Sequence, residues 1–384
     1  RIIGQEHPDV AVSYSNLGIS HKENGDYDNA IIYCEKALDI QLKAPGVGHP
    51  SIAISYNNLG EVYLDKGEYV KAIDYHEKAL EIELKAFGPD HPRVASSYNN
   101  LGLAYHFNGE YDKGLGFCEK ALGIALKSLG SGHPKVSGIH ENLGGAYGHK
   151  GEQAKAVRSH EKALEIRLKT YGPGHPLVAD SYNNLGVTCH FKREYDEALR
   201  SHEKSLGIRL KMLEPEHPGI AQSYGNLGLV HGAMGDNGKA IEYHRKSLAI
   251  QMKMLGPRHP AVASSYKNLG ELYDTRGEDA RALDYFEKAL AISLEALGPK
   301  HPEVAQNYEC LGMAHDRVGA YKKAISYLEE SLAISLKTFG PEHLRVARCY
   351  NKIGSIHQTL GDYPKALQYH GKTLAIFRER LSSQ

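Results

Sequence analysis

Apolar and polar residues follow one another along this chain in the rhythm of two short amphipathic helices, and the same block then begins again. In the block from His49 to Gly88, Ile52, Tyr56, Leu59, Gly60 and Tyr63 fall at helical spacing on one face. Pro50 stands in the first turn, where a missing backbone N–H costs nothing. Gly67 ends this helix A in the left-handed conformation that glycine adopts without strain. Helix B follows with Ala72, His76, Ala79, Leu80 and Leu84 on its buried side, and Gly88-Pro89 stops it.

The block recurs without insertion. A histidine-proline pair opens it at His7, His49, His91, His133, His175, His217, His259 and His301, and His343 holds the ninth place with Leu344 in the proline position. Each interval is 42 residues, so the chain is nine copies of one helix pair. A strict period of this size predicts an all-α solenoid, in which each copy buries its apolar face only against its neighbours. Nothing resembling a linker interrupts the series, and residues 1–384 read as a single domain. The chain opens at Arg1 and closes soon after the ninth copy, which reads as a fragment of a longer protein.

Two columns of small residues run through the copies. Helix A carries Gly18, Gly60, Gly102, Gly144, Gly186, Gly228, Gly270, Gly312 and Gly354; helix B carries alanine at Ala30, Ala72, Ala156, Ala198, Ala240, Ala282, Ala324 and Ala366, with Gly114 in the third copy. A glycine inside a helix costs about 1 kcal/mol relative to alanine. Nine in register predict that helices A and B approach too closely there for a side chain. The pattern departs from itself at Arg193, which replaces the turn glycine, and at Gln153 and Asn237, which replace the tyrosine two residues later. The third and fourth copies, with Gly114, Gly116, Gly123, Gly138, Gly144, Gly145 and Gly148, are expected to be the softest.

Tyr56, Leu59-Gly60, Tyr63, Ala72 and Ala79 together resemble the tetratricopeptide repeat (TPR) pattern. The long period, the Tyr-Asn-Asn-Leu-Gly core and the Gly-Pro-x-His-Pro junction resemble the kinesin light chain subtype over the whole chain. The resemblance implies a right-handed α-solenoid of nine antiparallel helix pairs, with helix A lining a concave groove. It also implies protein–protein interaction, of which cargo-adaptor or scaffold work is the leading form. Similar arrays serve as sensor arms of larger signalling proteins.

Composition narrows the partner. Lysine and arginine number 46 and aspartate and glutamate 46, leaving no basic stripe for nucleic acid or an anionic membrane. No apolar run approaches the roughly 18 residues of a membrane span. The five cysteines, Cys34, Cys118, Cys189, Cys310 and Cys349, show no paired spacing and fit a reducing compartment, hence a cytoplasmic location.

Candidate chemistry lies on helix A. The asparagine before Leu-Gly recurs as Asn16, Asn58, Asn100, Asn142, Asn184, Asn226 and Asn268. Under the resemblance this column projects into the groove, where each amide offers a donor and an acceptor to an extended or short helical peptide. The alternative is a row of solvated polar residues. The preceding column, with Asn57, Asn99 and Asn183, is more varied and would select side chains. Leu103, Phe107, Val187, Phe191 and Leu229 outline an apolar stretch that could equally be packing between copies. Arg345, Arg348 and Lys352 share one face of the last helix A, either as an anion anchor or as a solvated end.

The junction histidines are expected to bond loop backbone. The helix B column of His76, His160, His202, His244 and His370 alternates with Cys34, Cys118, Phe286 and Leu328, which points to packing. Copies stacked at about 10 Å are too far apart for these histidines to share a zinc, so no metal or cofactor is expected. No P-loop, GxSxG or HExxH motif is present, and no constellation unique to one copy suggests an enzyme. With no capping helix evident at either end, self-association through the end faces is a further alternative.

Overall fold

The computed structural model describes residues 7–43 and 50–382, and among them are eighteen helices and no strand. In the second copy helix A spans Pro50–Lys66 and helix B Tyr69–Phe87. His49 lies outside the described residues. The other eight junction histidines all act as N-caps of helix A in extended backbone. The ring Nδ1 accepts the backbone N–H two residues on, 3.2 Å from Arg93 at His91 and 3.0 Å from Gly219 at His217. This satisfies one of the orphan donors at the helix start, the task usually given to serine or aspartate. His343 caps in the same way although Leu344 follows it, so the cap does not depend on proline.

Glycine closes the turns. Gly67 and Gly109 end helix A at φ +84°, and Gly88 and Gly130 end helix B at +77° and +83°. Arg193 takes the same conformation at φ +65° and is the one non-glycine with positive φ among the described residues. A left-handed L-residue costs about 1–2 kcal/mol.

The glycine column meets a specific opponent on helix B. A Cβ at Gly60 would stand 2.6 Å from the His76 ring, one at Gly186 2.7 Å from His202, and one at Gly270 2.6 Å from Phe286. Gly18 and Gly102 face Cys34 and Cys118 in the same way, each 2.5 Å from the sulfur, and Gly312 faces Leu328 at 2.7 Å. The close approach expected from the sequence is therefore chiefly a side chain of helix B laid flat on the bare backbone of helix A. At Gly102 the carbonyl of Gly114, at 2.9 Å, adds a backbone contact. His76 and His202, both almost fully buried, are packing residues of this contact. Burial alone holds the His76 imidazole down at about 4, so it packs as a neutral ring.

Contacts group into two compact units, residues 1–208 and 209–384. Within each, helix A packs on helix B of its own copy and helix B on helix A of the next. The larger hydrophobic clusters accordingly run across copies: Ala30 to Ala104 and Ala95 to Ile166 in the first unit, Ile241 to Ile334 and Ala324 to Ile376 in the second. Leu59, Leu101, Leu227, Leu269 and Leu311, each one residue before the glycine, are fully buried. Such burial stabilises by about 1.5–3 kcal/mol per side chain. No helix is long and apolar enough to cross a membrane among the described residues.

A second column, not evident from sequence, joins one copy to the next. A residue late in helix B meets one fourteen positions on, in the following helix A, and both are buried or nearly so. Ser97 donates to Glu83 at 2.6 Å, Arg167 to Ser181 at 2.8 Å, Arg209 to Ser223 at 2.9 Å, Ser265 to Gln251 at 2.6 Å and Asn307 to Ser293 at 2.8 Å. In the third-to-fourth junction both members turn apolar, Ala125 with Ile139. In these six pairs polar meets polar and apolar meets apolar; a lone polar partner left buried there would cost about 1–3 kcal/mol.

Two substitutions test this frame. Gly60→Ala should lower the unfolding free energy by about 1–3 kcal/mol through overpacking, although alanine is the better helix former. His76→Ala in that background should return part of the loss, read from urea unfolding followed by circular dichroism. Arg193→Gly should raise stability by about 1 kcal/mol, and an unchanged midpoint would show that the strain is relieved elsewhere.

Candidate functional site

The asparagine column stands on the side of helix A turned away from its Leu-Gly core. Asn16 is exposed, and Asn58, Asn100, Asn142, Asn184, Asn226 and Asn268 are half-buried. Their amides are not equivalent. Asn142 donates to Asn99 Oδ1 at 3.0 Å and Asn184 to Glu141 Oε2 at 2.6 Å, both acceptors lying 43 residues back in the preceding helix A. These two bridge neighbouring copies. The amides of Asn58, Asn100 and Asn268 make no such bond among the described residues.

The preceding column carries more internal duty than its variability suggests. Asn57 Oδ1 lies 2.9 Å from His76 Nδ1, while its amide nitrogen donates to Ser97 at 3.4 Å. Asn99 is the acceptor for Asn142, and Asn183 is buried. Asn57 and Asn99 thus also tie helix A to its neighbours. Their side chains are short and begin next to the core, so they reach the adjacent helices first.

At two copies this column becomes acidic. Glu141, almost buried, receives Arg167 at 3.1 Å, Ser181 at 2.6 Å and Asn184 at 2.6 Å, with His160 Nδ1 3.3 Å away. Burial pushes this carboxyl up, but His160, Arg167 and Ser181 outweigh it and hold it at about 2. Glu309 occupies the same column four copies later and binds Arg348 and Lys352, each at 2.7 Å. Arg345 lies with its guanidinium 5.2 Å from the Phe339 ring centroid. The cationic face expected as an anion anchor thus has two of its three charges paired to a buried carboxylate of the chain itself. Spacing along one helix revealed the cations but not their partner, which lies 39 and 43 residues back.

Among the described residues, cavities open along helix A faces. One, in the second unit, is about 320 Å³, lined by Lys267, Glu271, Asp274, Phe286, Met313 and Lys352. Another, in the first unit, is about 420 Å³ and lies between the fourth and fifth copies, with Gly145, Gly148, Gln153, Val187 and Phe191 around Glu141. Val187, Phe191 and Asn184, singled out from sequence, meet here. Phe107 does not: it stacks on Tyr69 at 5.9 Å, with Leu103 half-buried in the same helix. Leu229 is exposed and belongs to the other unit.

Glu141→Ala should cost about 3 kcal/mol, since it leaves Arg167 buried without its anion. The carboxyl is depressed in the fold, so its contribution is full above the ordinary glutamate value and lost as pH falls toward its folded value. Unfolding of the two proteins, compared across pH, should differ most above about 4.5 and converge toward about 2.

The tetratricopeptide repeat family matches residues 9–85, 51–113, 93–169, 138–211, 193–253, 219–295, 280–337 and 303–379. No match was found among curated proteins. A signal transduction ATPase with numerous domains and a tetratricopeptide repeat sensor, from Pyrococcus horikoshii, is 17% identical over 100% of this chain and 54% of its own, at a TM-score of 0.68. A Rap protein complexed with competence and sporulation factor is 11% identical over 98% of this chain and 100% of its own, at 0.58. A kinesin light chain-type protein of nearly identical repeats from Podosopora anserina is 27% identical over 54% of this chain and 99% of its own, at 0.45.

Proposed function

Since this chain belongs to the tetratricopeptide repeat family, we propose that it is a binding scaffold whose helix A face holds an extended or short helical segment of a partner protein. The observation that carries the reading is the division of labour within the asparagine column. Asn142 and Asn184 spend their amides on the neighbouring copy, whereas Asn58, Asn100 and Asn268 keep theirs for a visitor. An asparagine presents a donor and an acceptor together, which is what a peptide backbone requires. Each such bond nets about 0.5–1.5 kcal/mol, so several act together without reading sequence. Selectivity then falls to the side chains and cavities between them.

The nine copies are taken to work as one array, because the 42-residue period passes residues 208 and 209 unbroken. Four of the five cysteines are buried and all are free, in keeping with a reducing cytoplasm. The balanced charge of 46 against 46 argues for a protein partner over nucleic acid or membrane. The alternative is that the array is the sensor arm of a larger signalling protein, as the repeats of the Pyrococcus horikoshii ATPase are in that protein. It would use the same face. Self-association would not, and light scattering across concentration separates it.

A random-peptide display selection on the wild-type chain, followed by fluorescence anisotropy, supplies the test. Asn58→Ala with Asn100→Ala should weaken the selected peptides by about tenfold or more, from two lost hydrogen bonds, with melting unchanged. Equal affinity for the double variant would overturn the ladder.

A further inference from the structure

In four copies the first residue of helix B lies against the last residue of the next copy's helix A, and their chemistry matches where they touch. Tyr69 stacks on Phe107 at 5.9 Å and Tyr111 on His149 at 5.5 Å. Asn237 donates to Thr275 at 3.3 Å, and Asp279 lies 3.9 Å from Arg317. By the same register Phe191 should stack on a tyrosine at position 153, and that residue is Gln153. Its amide folds back to donate to the carbonyl of Gly148 at 3.2 Å.

A second ring is missing beside the first. In the third and fifth copies a histidine five residues before the tyrosine that opens helix B packs on it, His106 with Tyr111 at 5.4 Å and His190 with Tyr195 at 5.7 Å. In the fourth copy the histidine position is Gly148. Neither Gly145 nor Gly148 has a neighbour closer than 4.0 Å to where its Cβ would stand. Both rings that fill this place in the flanking copies are therefore absent, and the cavity of about 420 Å³ is what they leave. Phe191 is 68% exposed on its rim, against 50% for the stacked Phe107. Phe191 meets only the edge of the adjacent His190 ring, at 5.9 Å, and no ring of the described residues stacks on its face.

We propose that this cavity receives an aromatic side chain of the partner segment, stacked on Phe191 in the place that Tyr69 and Tyr111 occupy for the preceding copies. The inference rests on the peptide-binding reading above and adds an anchor to it. An aromatic ring suits the opening better than an aliphatic chain, because offset stacking on Phe191 adds to burial. The volume falls within the range of about 300–1,000 Å³ common to small-ligand sites. The glycines, which bring no side chain, allow the ring to lie against helix backbone.

The test uses N-acetyl-phenylalaninamide, N-acetyl-tyrosinamide and N-acetyl-leucinamide as probes, titrated into the whole chain and followed by saturation-transfer NMR. The aromatic amides should bind saturably and at least about fivefold more tightly than the leucine amide. Gln153→Tyr and Gly148→His, which restore residues the chain itself uses in flanking copies, should abolish that binding while melting no lower than wild type. Phe191→Ala, at an exposed position, should weaken it without unfolding and decides the matter if either filled variant melts early. Equal binding of the leucine amide, or aromatic binding that survives both filled variants, would overturn the proposal. These probes are too short to span the asparagines, so the Asn58 and Asn100 double variant should bind them normally. Failure of the ring site and failure of the ladder are thus separable.

Discussion

The structure depends on a flat contact between a bare stretch of helix A and a side chain of helix B. With no Cβ at Gly60, the His76 ring comes to rest where an alanine methyl would stand 2.6 Å away. The same contact recurs with cysteine, phenylalanine or leucine as the opponent, so the chain tolerates changes in what lies on the glycine but not in the glycine itself. Because this contact draws the two helices of a copy together, it sets where every other side chain of the pair points. A glycine in mid-helix is a liability of about 1 kcal/mol, and a gain in packing has to exceed it.

Joining one copy to the next is a separate problem. A helix pair alone leaves one apolar face unburied, and the clusters that run from Ala30 to Ala104 or from Ile241 to Ile334 show the neighbours closing it. The polar pairs fourteen residues apart, such as Glu83 with Ser97 and Gln251 with Ser265, add direction to that burial. A hydrogen bond tolerates a narrow range of distance and angle, whereas apolar contact does not discriminate between registers. The apolar exchange at Ala125 and Ile139 belongs to the same logic, since both members change together.

With the frame settled by these two contacts, the outer side of helix A is free to vary, and the chain uses the freedom unevenly. Glu141 and Glu309 convert one column into buried charge clusters, while Asn142 and Asn184 bridge copies and other asparagines do not. In the fourth copy Gly148 and Gln153 remove two rings at once and open a cavity next to Phe191. A uniform scaffold with local departures of this kind suits recognition, because the departures carry information while the frame keeps them in place.

Much of this was legible in the residues alone. The helix pair, the 42-residue period, the turn glycines and the tight glycine column follow from short-range patterning, since caps, turns and amphipathic faces are set by residues one to four positions apart. The histidine caps belong to the same class, with donor and acceptor two residues apart. Only the tertiary structure decided which polar groups meet. Partners 14, 19 and 43 residues apart, such as Arg167 with Ser181, His76 with Asn57 and Asn142 with Asn99, are brought together by the way one helix leans on another. Asparagines identical in sequence context therefore differ in whether their amides are occupied. The cationic face at Arg348 and Lys352 likewise found its anion at Glu309, a residue of a different helix. Periodicity states what each position is, and the packing of one copy on the next determines what remains for a partner to bind.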